Sequence, residues 1–247
     1  MIKTEEILIK GGKNKKTVCD IFSYEPENIE EASLGNLYMV SELAANDDSD
    51  HLISLLSSLI KREYYCQPHR GPLESLETSL KKANQALNDF ANQGNLGWLG
   101  KLHFICAVIN KEKDIFLSQS GRAQAFLCRE ESITNITKKI IPPPDKPHPA
   151  KTFQSVISGN IGPNDKLFFA TPALFDFFNP SGFKQLFSFP KIELISDQIN
   201  KTLREEKKVS PFSALLMEIV PEESPLPLAD IKKSFITPPI NLEEILS

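Results

Sequence analysis

Apolar and polar residues change their spacing several times along the chain, and each change predicts a different element. The first two apolar runs, residues 6–10 and 17–22, flank a glycine- and lysine-rich stretch, so they predict a β-hairpin with its turn at 11–16. Residues 36–43 form a third apolar run. This run predicts another strand.

Two stretches with helical spacing follow. In the first, the apolar stripe predicts a helix with Ser49 or Asp50 as its N-cap. In the second, apolar residues recur every three or four positions from Leu73 to Phe90, and Gly94 marks the end of the predicted helix. The stripe of the first helix consists of Leu52, Leu55, Leu56, Leu59 and Ile60.

The second half of the sequence returns to strand patterns. Short apolar runs separated by turns predict an antiparallel meander, and the proline-rich stretch 141–149 predicts a surface loop. The meander covers 102–109, 114–119, 123–128 and 132–137, and a further strand, a helix and a last strand are predicted at 165–170, 191–203 and 212–220.

This order of elements predicts one α+β domain. Two consecutive helices cover one face of one sheet, and the remaining strands need a second sheet, so we predict a four-layer α-β-β-α sandwich of two antiparallel sheets flanked by helices. The domain spans 1–220, and 221–247, with five prolines, is predicted to be an extended tail.

Composition narrows the function classes. The 247 residues carry a net charge of −4, which disfavours nucleic-acid binding. The N-terminus has no apolar signal-peptide core, and the longest apolar run is far too short to cross a membrane, so we expect a cytoplasmic protein without membrane insertion. The four cysteines lie far apart, which disfavours a zinc knuckle or a redox dithiol.

Four stretches, in order, resemble segments of the metal-dependent protein phosphatases of the 2C (PPM) type. They are LYMVSELAAND (37–47), DIFLSQSGRAQAFLCREESITNIT (114–137), IGPNDKLFFATPALFD (161–176) and SPFSALLMEI (210–219). The resemblance spans about residues 5–220 and implies the same four-layer sandwich. It also implies two-metal hydrolysis, in which Mn²⁺ or Mg²⁺ ions between the sheets are held by carboxylates and activate a water.

The family's site positions are degenerate in this sequence. Asp20 matches the N-terminal carboxylate position, and Glu42 replaces the bridging aspartate, whereas Pro172 replaces the aspartate at the strand-to-helix corner. The remaining positions fall on Lys15 for the phosphate-binding arginine, Leu43 for a glycine, Arg122 for a structural aspartate, and Ser210 and Pro211 for the closing aspartate and asparagine. No catalytic residue is predicted. No cofactor is expected either, apart from a single weakly bound Mn²⁺ or Mg²⁺ on Asp20 and Glu42.

The resemblance therefore implies a catalytically inactive phosphatase-like domain that serves as a binding or regulatory module. Its expected partner is a protein, such as a phosphoprotein or a kinase. The alternative is a divergent Mn/Mg-dependent serine/threonine protein phosphatase that hydrolyses phosphoprotein monoesters. Its ligands would then include carboxylates outside the aligned positions, namely Asp47, Asp48, Asp50 or Asp176.

Overall fold

The computed structural model describes residues 1–10, 17–44, 51–130, 132–140, 147–206 and 209–221. The strands in these residues are β1 (Ile2–Ile9), β2 (Thr17–Tyr24), β3 (Asn36–Ala44), β4 (Leu102–Ile109), β5 (Asp114–Ser120), β6 (Gln124–Arg129), β7 (Ser132–Asn135), β8 (Ile157–Asn160), β9 (Lys166–Ala170) and β10 (Phe212–Ile219). The helices are α1 (Ile29–Ala32), α2 (Leu52–Tyr65), α3 (Pro72–Asn92), α4 (Pro180–Leu186) and α5 (Ile192–Glu205), with 3-10 turns at Ile136–Lys139, Pro149–Lys151 and Pro172–Asp176.

The strands form two five-stranded antiparallel sheets. Sheet A has the order β1-β10-β9-β6-β7, and sheet B has the order β2-β3-β4-β5-β8. An apolar cluster between the sheets includes Val40, Ile105 and Phe169. Helices α2 and α3 pack on the outer face of sheet B, and α4 and α5 pack on the outer face of sheet A. The predicted four-layer α+β sandwich is thereby confirmed.

The predicted hairpin of the first two strands is wrong. Both strands exist, but β1 pairs with β10 in sheet A, and β2 pairs with β3 in sheet B. The two strands therefore belong to different layers of the sandwich. Local sequence suggested the hairpin because a glycine-rich stretch separates two apolar runs, yet β1 finds its partner about 210 residues away. The predicted turn, 11–16, lies outside the described residues.

The predicted meander is also only partly correct. Strands β4 and β5 pair with each other, and so do β6 and β7, but the chain crosses from sheet B to sheet A between β5 and β6. Gly121 lies at this crossing with φ +67°, and a Cβ atom there would collide with the His103 ring and the Leu102 carbonyl. Only glycine fits both the backbone conformation and the space. Strand β8, which the sequence did not predict, pairs with β5.

The helix predictions are confirmed. Helix α2 begins after His51, which makes no side-chain cap; Ser49 and Asp50 lie outside the described residues. Helix α3 ends at Asn92, and Gly94 adopts φ +93°, which terminates the helical path.

An ion pair anchors one end of sheet A. The buried carboxylate of Asp165 accepts two hydrogen bonds from Arg129 Nε, at 3.1 and 3.2 Å, and one from its Nη2 at 2.7 Å. The backbone N–H of Gly162 donates a further bond at 2.7 Å. In the same loop, Asn164 has φ +66°, a conformation that asparagine tolerates better than most residues.

No helix in the described residues is long and apolar enough to cross a membrane. The proline-rich loop is described only from residue 147 onward, and residues 222–247 of the predicted tail lie outside the described part of the chain. The extent of the tail therefore stays a prediction.

Candidate functional site

Glu42 lies near the end of β3 and faces the space between the two sheets. It pairs with Cys19 on β2 and with His103 on β4. Because side chains alternate along a strand, Glu42 shares its face with Tyr38 and Val40, which belong to the cluster between the sheets. Only 8% of Glu42 is exposed. This carboxylate is therefore buried where the family resemblance places its metals.

The strand register does not bring Asp20 to Glu42. Asp20 pairs with Ser41, so it lies on the opposite face of sheet B, together with Val18 and Phe22, which pack against the α2–α3 layer. Asp20 Oδ1 accepts a hydrogen bond from the Ile21 backbone N–H at 3.1 Å. Cys19 takes the position beside Glu42. The two predicted metal ligands therefore do not form one site in this structure.

The carboxylate of Glu42 instead contacts the corner that follows β9. The Thr171 side chain and the Ala173 backbone N–H lie close enough to this carboxylate to lower its pKa. Thr171 is the N-cap of the 3-10 turn Pro172–Asp176 but makes no side-chain cap of its own. Glu42, from the other sheet, thus lies against the start of this turn, where the first N–H groups have no partner within the turn.

Thr171 connects Glu42 to the last strand. Its Oγ1 accepts a hydrogen bond from the Ser213 backbone N–H at 3.1 Å while its hydroxyl serves Glu42. Ser213 Oγ in turn donates to the Ser41 carbonyl at 2.7 Å. Since Ser41 belongs to sheet B and Ser213 to sheet A, the bond between them links the two sheets directly, whereas the Ser213–Thr171 bond stays within sheet A.

Burial raises the pKa of Glu42 above its ordinary value. The hydrogen bonds from Thr171 and Ala173 and the positive charge of Arg122 oppose this rise, and the negative charge of Asp176 adds to it. Within the described structure, Glu42 Oε2 is buried without a hydrogen-bond partner. The charged form of Glu42 is thus only partly compensated.

The two cross-strand neighbours of Glu42, Cys19 and His103, are uncharged at neutral pH. Burial, assisted by the charges of Glu42 and Asp20, raises the pKa of Cys19 to about 12. Burial, assisted by Arg122, lowers the pKa of His103 to about 4. His103 Nδ1 accepts a hydrogen bond from the Arg122 backbone N–H at 3.0 Å, which leaves the ring proton on Nε2. Cys19 is therefore a thiol, and His103 is a neutral imidazole.

The other predicted positions supply no acidic ligand. Pro172 is half-buried and has no side-chain oxygen, Leu43 is buried against the α2–α3 layer, and Pro211 is buried at the start of β10. Ser210 is exposed. Lys15 lies outside the described residues, as do Asp47, Asp48 and Asp50.

The described residues do not fit a two-metal centre. Hard divalent cations require several oxygen ligands, usually carboxylates. Across the described ranges, no group of three or more His, Cys, Asp or Glu side chains is arranged to hold a metal ion. Of the two carboxylates expected as ligands, only Glu42 faces the space between the sheets.

The sequence pattern alone missed the roles of Cys19, Thr171 and Ser213. The pairing of β2 with β3 places Cys19 beside Glu42. The sequence analysis paired β2 with β1 instead, so it could not predict this register. The hydroxyl groups of Thr171 and Ser213 carried no sequence signal, because their partners lie in the opposite sheet.

Comparison with known proteins identifies the fold. No protein-family model matches the sequence, and no curated protein matches it. Among solved structures, the serine/threonine phosphatase PstP of Mycobacterium tuberculosis is 12% identical with a TM-score of 0.63, covering 89% of this chain and 99% of its own. A structure of the PstP catalytic domain is in complex with two manganese ions.

Two further phosphatases show the same likeness. The PPM Ser-Thr phosphatase MsPP of Mycobacterium smegmatis is 11% identical with a TM-score of 0.57, covering 90% of this chain and 98% of its own. The phosphatase domain of SpoIIE of Bacillus subtilis is 12% identical with a TM-score of 0.56, covering 92% and 96%. The chain therefore has the fold of the PPM-type serine/threonine phosphatases.

Proposed function

We propose that this chain is a catalytically inactive PPM-type phosphatase-like domain that serves as a binding or regulatory module. The observation that carries the proposal is the cross-sheet contact of Glu42 with Thr171 and Ala173. In this arrangement the carboxylate that faces the space between the sheets lies against the Pro172–Asp176 turn of the opposite sheet.

The chemistry of two-metal hydrolysis supports the same conclusion. The metals generate the nucleophilic water and hold the phosphoryl oxygens, so both functions depend on carboxylates that converge from the two sheets. On sheet A, the corresponding positions are Pro172, Ser210 and Pro211, which offer no carboxylate. The manganese seen with PstP has no matching ligand set among the described residues.

Hydrolysis of a generic aryl phosphate in excess Mn²⁺ tests the proposal. We expect the full chain to show no more turnover than its Glu42→Gln variant, which keeps the shape of the side chain and removes its charge. Turnover that disappears on chelation and in the Glu42→Gln or Asp20→Ala variant would contradict the proposal.

The second candidate function is a divergent Mn/Mg-dependent serine/threonine phosphatase. The observation in its favour is that Glu42 Oε2 has no partner in the described structure and that Asp176 acts electrostatically on the same carboxylate. Asp176 is exposed and is the last residue of the 3-10 turn Pro172–Asp176, which also contains Ala173. If this candidate is correct, Asp176→Asn will abolish metal-dependent turnover, while the exposed Asp197→Asn variant will retain it.

The proposed module acts in the cytoplasm and binds a protein, such as a phosphoprotein or a kinase. We propose the former substrate face or the 221–247 segment as the surface that the partner contacts. The net charge of −4 argues against a nucleic-acid partner.

A further inference from the structure

A cavity of about 210 Å³ lies where the turn before β4 meets the crossing from β5 to β6. Its described lining contains two basic side chains, Arg122 and Lys151, and two histidines, His103 and His148. No Asp or Glu is among these lining residues. The cavity is therefore basic in a chain whose net charge is negative.

Among the described residues, no carboxylate forms an ion pair with either cation of the cavity. The ion pairs found in the described structure involve Arg62, Arg70 and Arg129, and none involves Arg122 or Lys151. Arg122 influences the pKa of Glu42 from a distance, without a direct ion pair. A guanidinium and an ammonium group are thus available to an anion that enters the cavity.

A buried donor in the cavity wall is also unused. Trp98 lines the cavity, is 1% exposed, and its Nε1–H has no hydrogen-bond partner in the described structure. A buried N–H without a partner is costly, so an acceptor at this position would stabilise the site. His103 offers a second neutral donor, because its Nδ1 is occupied by the Arg122 backbone.

The remaining wall is apolar. Leu99, Leu102 and Pro147 line the cavity together with the Trp98 ring. Water occupies roughly 30 Å³ per molecule, so the cavity has room for about seven non-hydrogen atoms. This volume suits an oxyanion group attached to a short carbon chain.

We propose that the cavity is a binding site for a small organic anion, with its carboxylate or phosphate group on Arg122 and Lys151 and its carbon chain against Trp98 and Leu102. The proposed binding site does not depend on phosphatase activity. The proposal therefore stands whether or not the chain hydrolyses phosphate esters. Neither Asp20 nor Glu42, the two residues expected to bind a metal, is among the cavity's described lining residues, which come from the turn before β4, the start of β4, the crossing at 120–122 and residues 147–152.

The fluorescence of Trp98 provides a direct test, because Trp98 is the single tryptophan of the chain. The probes are ethyl phosphate and butyrate, with neutral butyramide as the matched control. We expect the two anions to change the emission saturably and with weaker affinity at high salt, and butyramide to leave it unchanged. The tighter of the two anions identifies the preferred head group. An equal response to butyramide, or no saturable response to either anion, would overturn the proposal.

Variants separate the site from general charge effects. Arg122→Ala and Lys151→Ala should each weaken binding of the tighter anion about tenfold or more, as expected for the loss of a charge-assisted hydrogen bond. Lys111→Ala, an exposed lysine in the β4–β5 turn, removes the same charge away from the cavity and should leave the affinity unchanged. Equal weakening by all three variants would show a non-specific charge effect and contradict the proposal.

Two further measurements test how much the Trp98 N–H and the apolar wall contribute to binding. Trp98→Phe keeps a ring and removes the N–H, so calorimetry should show several-fold weaker binding of the same anion. Inorganic phosphate lacks the carbon chain and should bind more weakly than ethyl phosphate. Unchanged affinity in the Trp98→Phe variant, with its fold verified by circular dichroism, would contradict the role of the indole donor.

Discussion

Two buried carboxylates, Asp165 before β9 and Glu42 on β3, have different surroundings. Asp165 receives hydrogen bonds from Nε and Nη2 of Arg129 and from the Gly162 backbone. Glu42 lies against Thr171 and Ala173, and its Oε2 has no partner in the described structure. The Asp165 carboxylate is therefore paired with a cation, whereas the charge of Glu42 is only partly compensated.

This difference suggests that the two positions serve different needs. A carboxylate designed to hold cations requires little else around it, because the metals supply the compensating charge. Without cations, such a carboxylate depends on donors of the protein. The groups that lower the pKa of Glu42 in this way, Thr171 and Ala173, come from the other sheet, and Thr171 is also bonded to Ser213.

The largest effect is expected at Asp165. Asp165→Asn removes the charge that Arg129 binds in a bidentate manner, and we expect the free energy of unfolding to fall by about 2 to 3 kcal/mol, because hydrogen bonds to charged groups are costly to lose. Denaturant unfolding measures the change. The matched control is Glu63→Gln, which breaks an exposed pair with Arg62 and should change stability by less than about 1 kcal/mol. Similar losses in both variants would remove the contrast between the two carboxylates.

A smaller loss is expected at Thr171. Thr171→Val keeps the shape of the side chain but leaves the Ser213 N–H and the Glu42 carboxylate without their partner, so unfolding should become easier by about 1 to 2 kcal/mol. Thr171→Ser retains the hydroxyl and should recover most of that loss. If Val and Ser variants are equally stable, the hydroxyl does not link the sheets.

Glu42→Gln should change stability by less than about 1 kcal/mol at neutral pH, because the variant loses a charge that burial already disfavours. Folding raises the Glu42 pKa, so the folded chain holds the proton more tightly and ionisation at higher pH destabilises the fold. The wild type should therefore gain stability relative to the variant as the pH falls from neutral through the raised pKa toward 4.5. Unfolding curves at several pH values measure this slope, and a gain in the opposite direction would contradict the buried, partly compensated state of Glu42.

The smallest expected effect concerns the NMR signals of His103. His103, which pairs with Glu42 across β3 and β4, has its pKa lowered to about 4 and should stay neutral at every pH above about 5. Its ring signals in an NMR titration should remain constant over that range. A midpoint near 6.5 for His103 would show that the ring is not desolvated as described.

The sequence predicted the elements better than their partners. Hydrophobic spacing is a local property, so it was enough to find β3, α3 and α5. Pairing depends on residues that are distant in sequence, and for that reason the partner of β1 was missed. The sheet change at Gly121 was missed for the same reason, although the residue itself was aligned with a family glycine.

The candidate site shows the same limit. That position 172 offers no carboxylate could be read from the sequence, since it depends on one residue type at one position. The side to which Asp20 points could not, because the face of a strand residue follows from the register with its neighbour. The residues that lie against Glu42 could not be predicted from the sequence either, because they come from the other sheet.

Calorimetry with Mn²⁺ tests the central claim most directly. Titration of the full chain with Mn²⁺ at neutral pH, with Glu42→Gln as the reference, measures whether the cleft still holds the ions of its structural relatives. We expect no saturable heat in either protein up to millimolar Mn²⁺, because Asp20 faces away from Glu42 and the described residues contain no group of three or more metal-ligating side chains. Saturable binding to the wild type that is lost in Glu42→Gln would contradict this expectation.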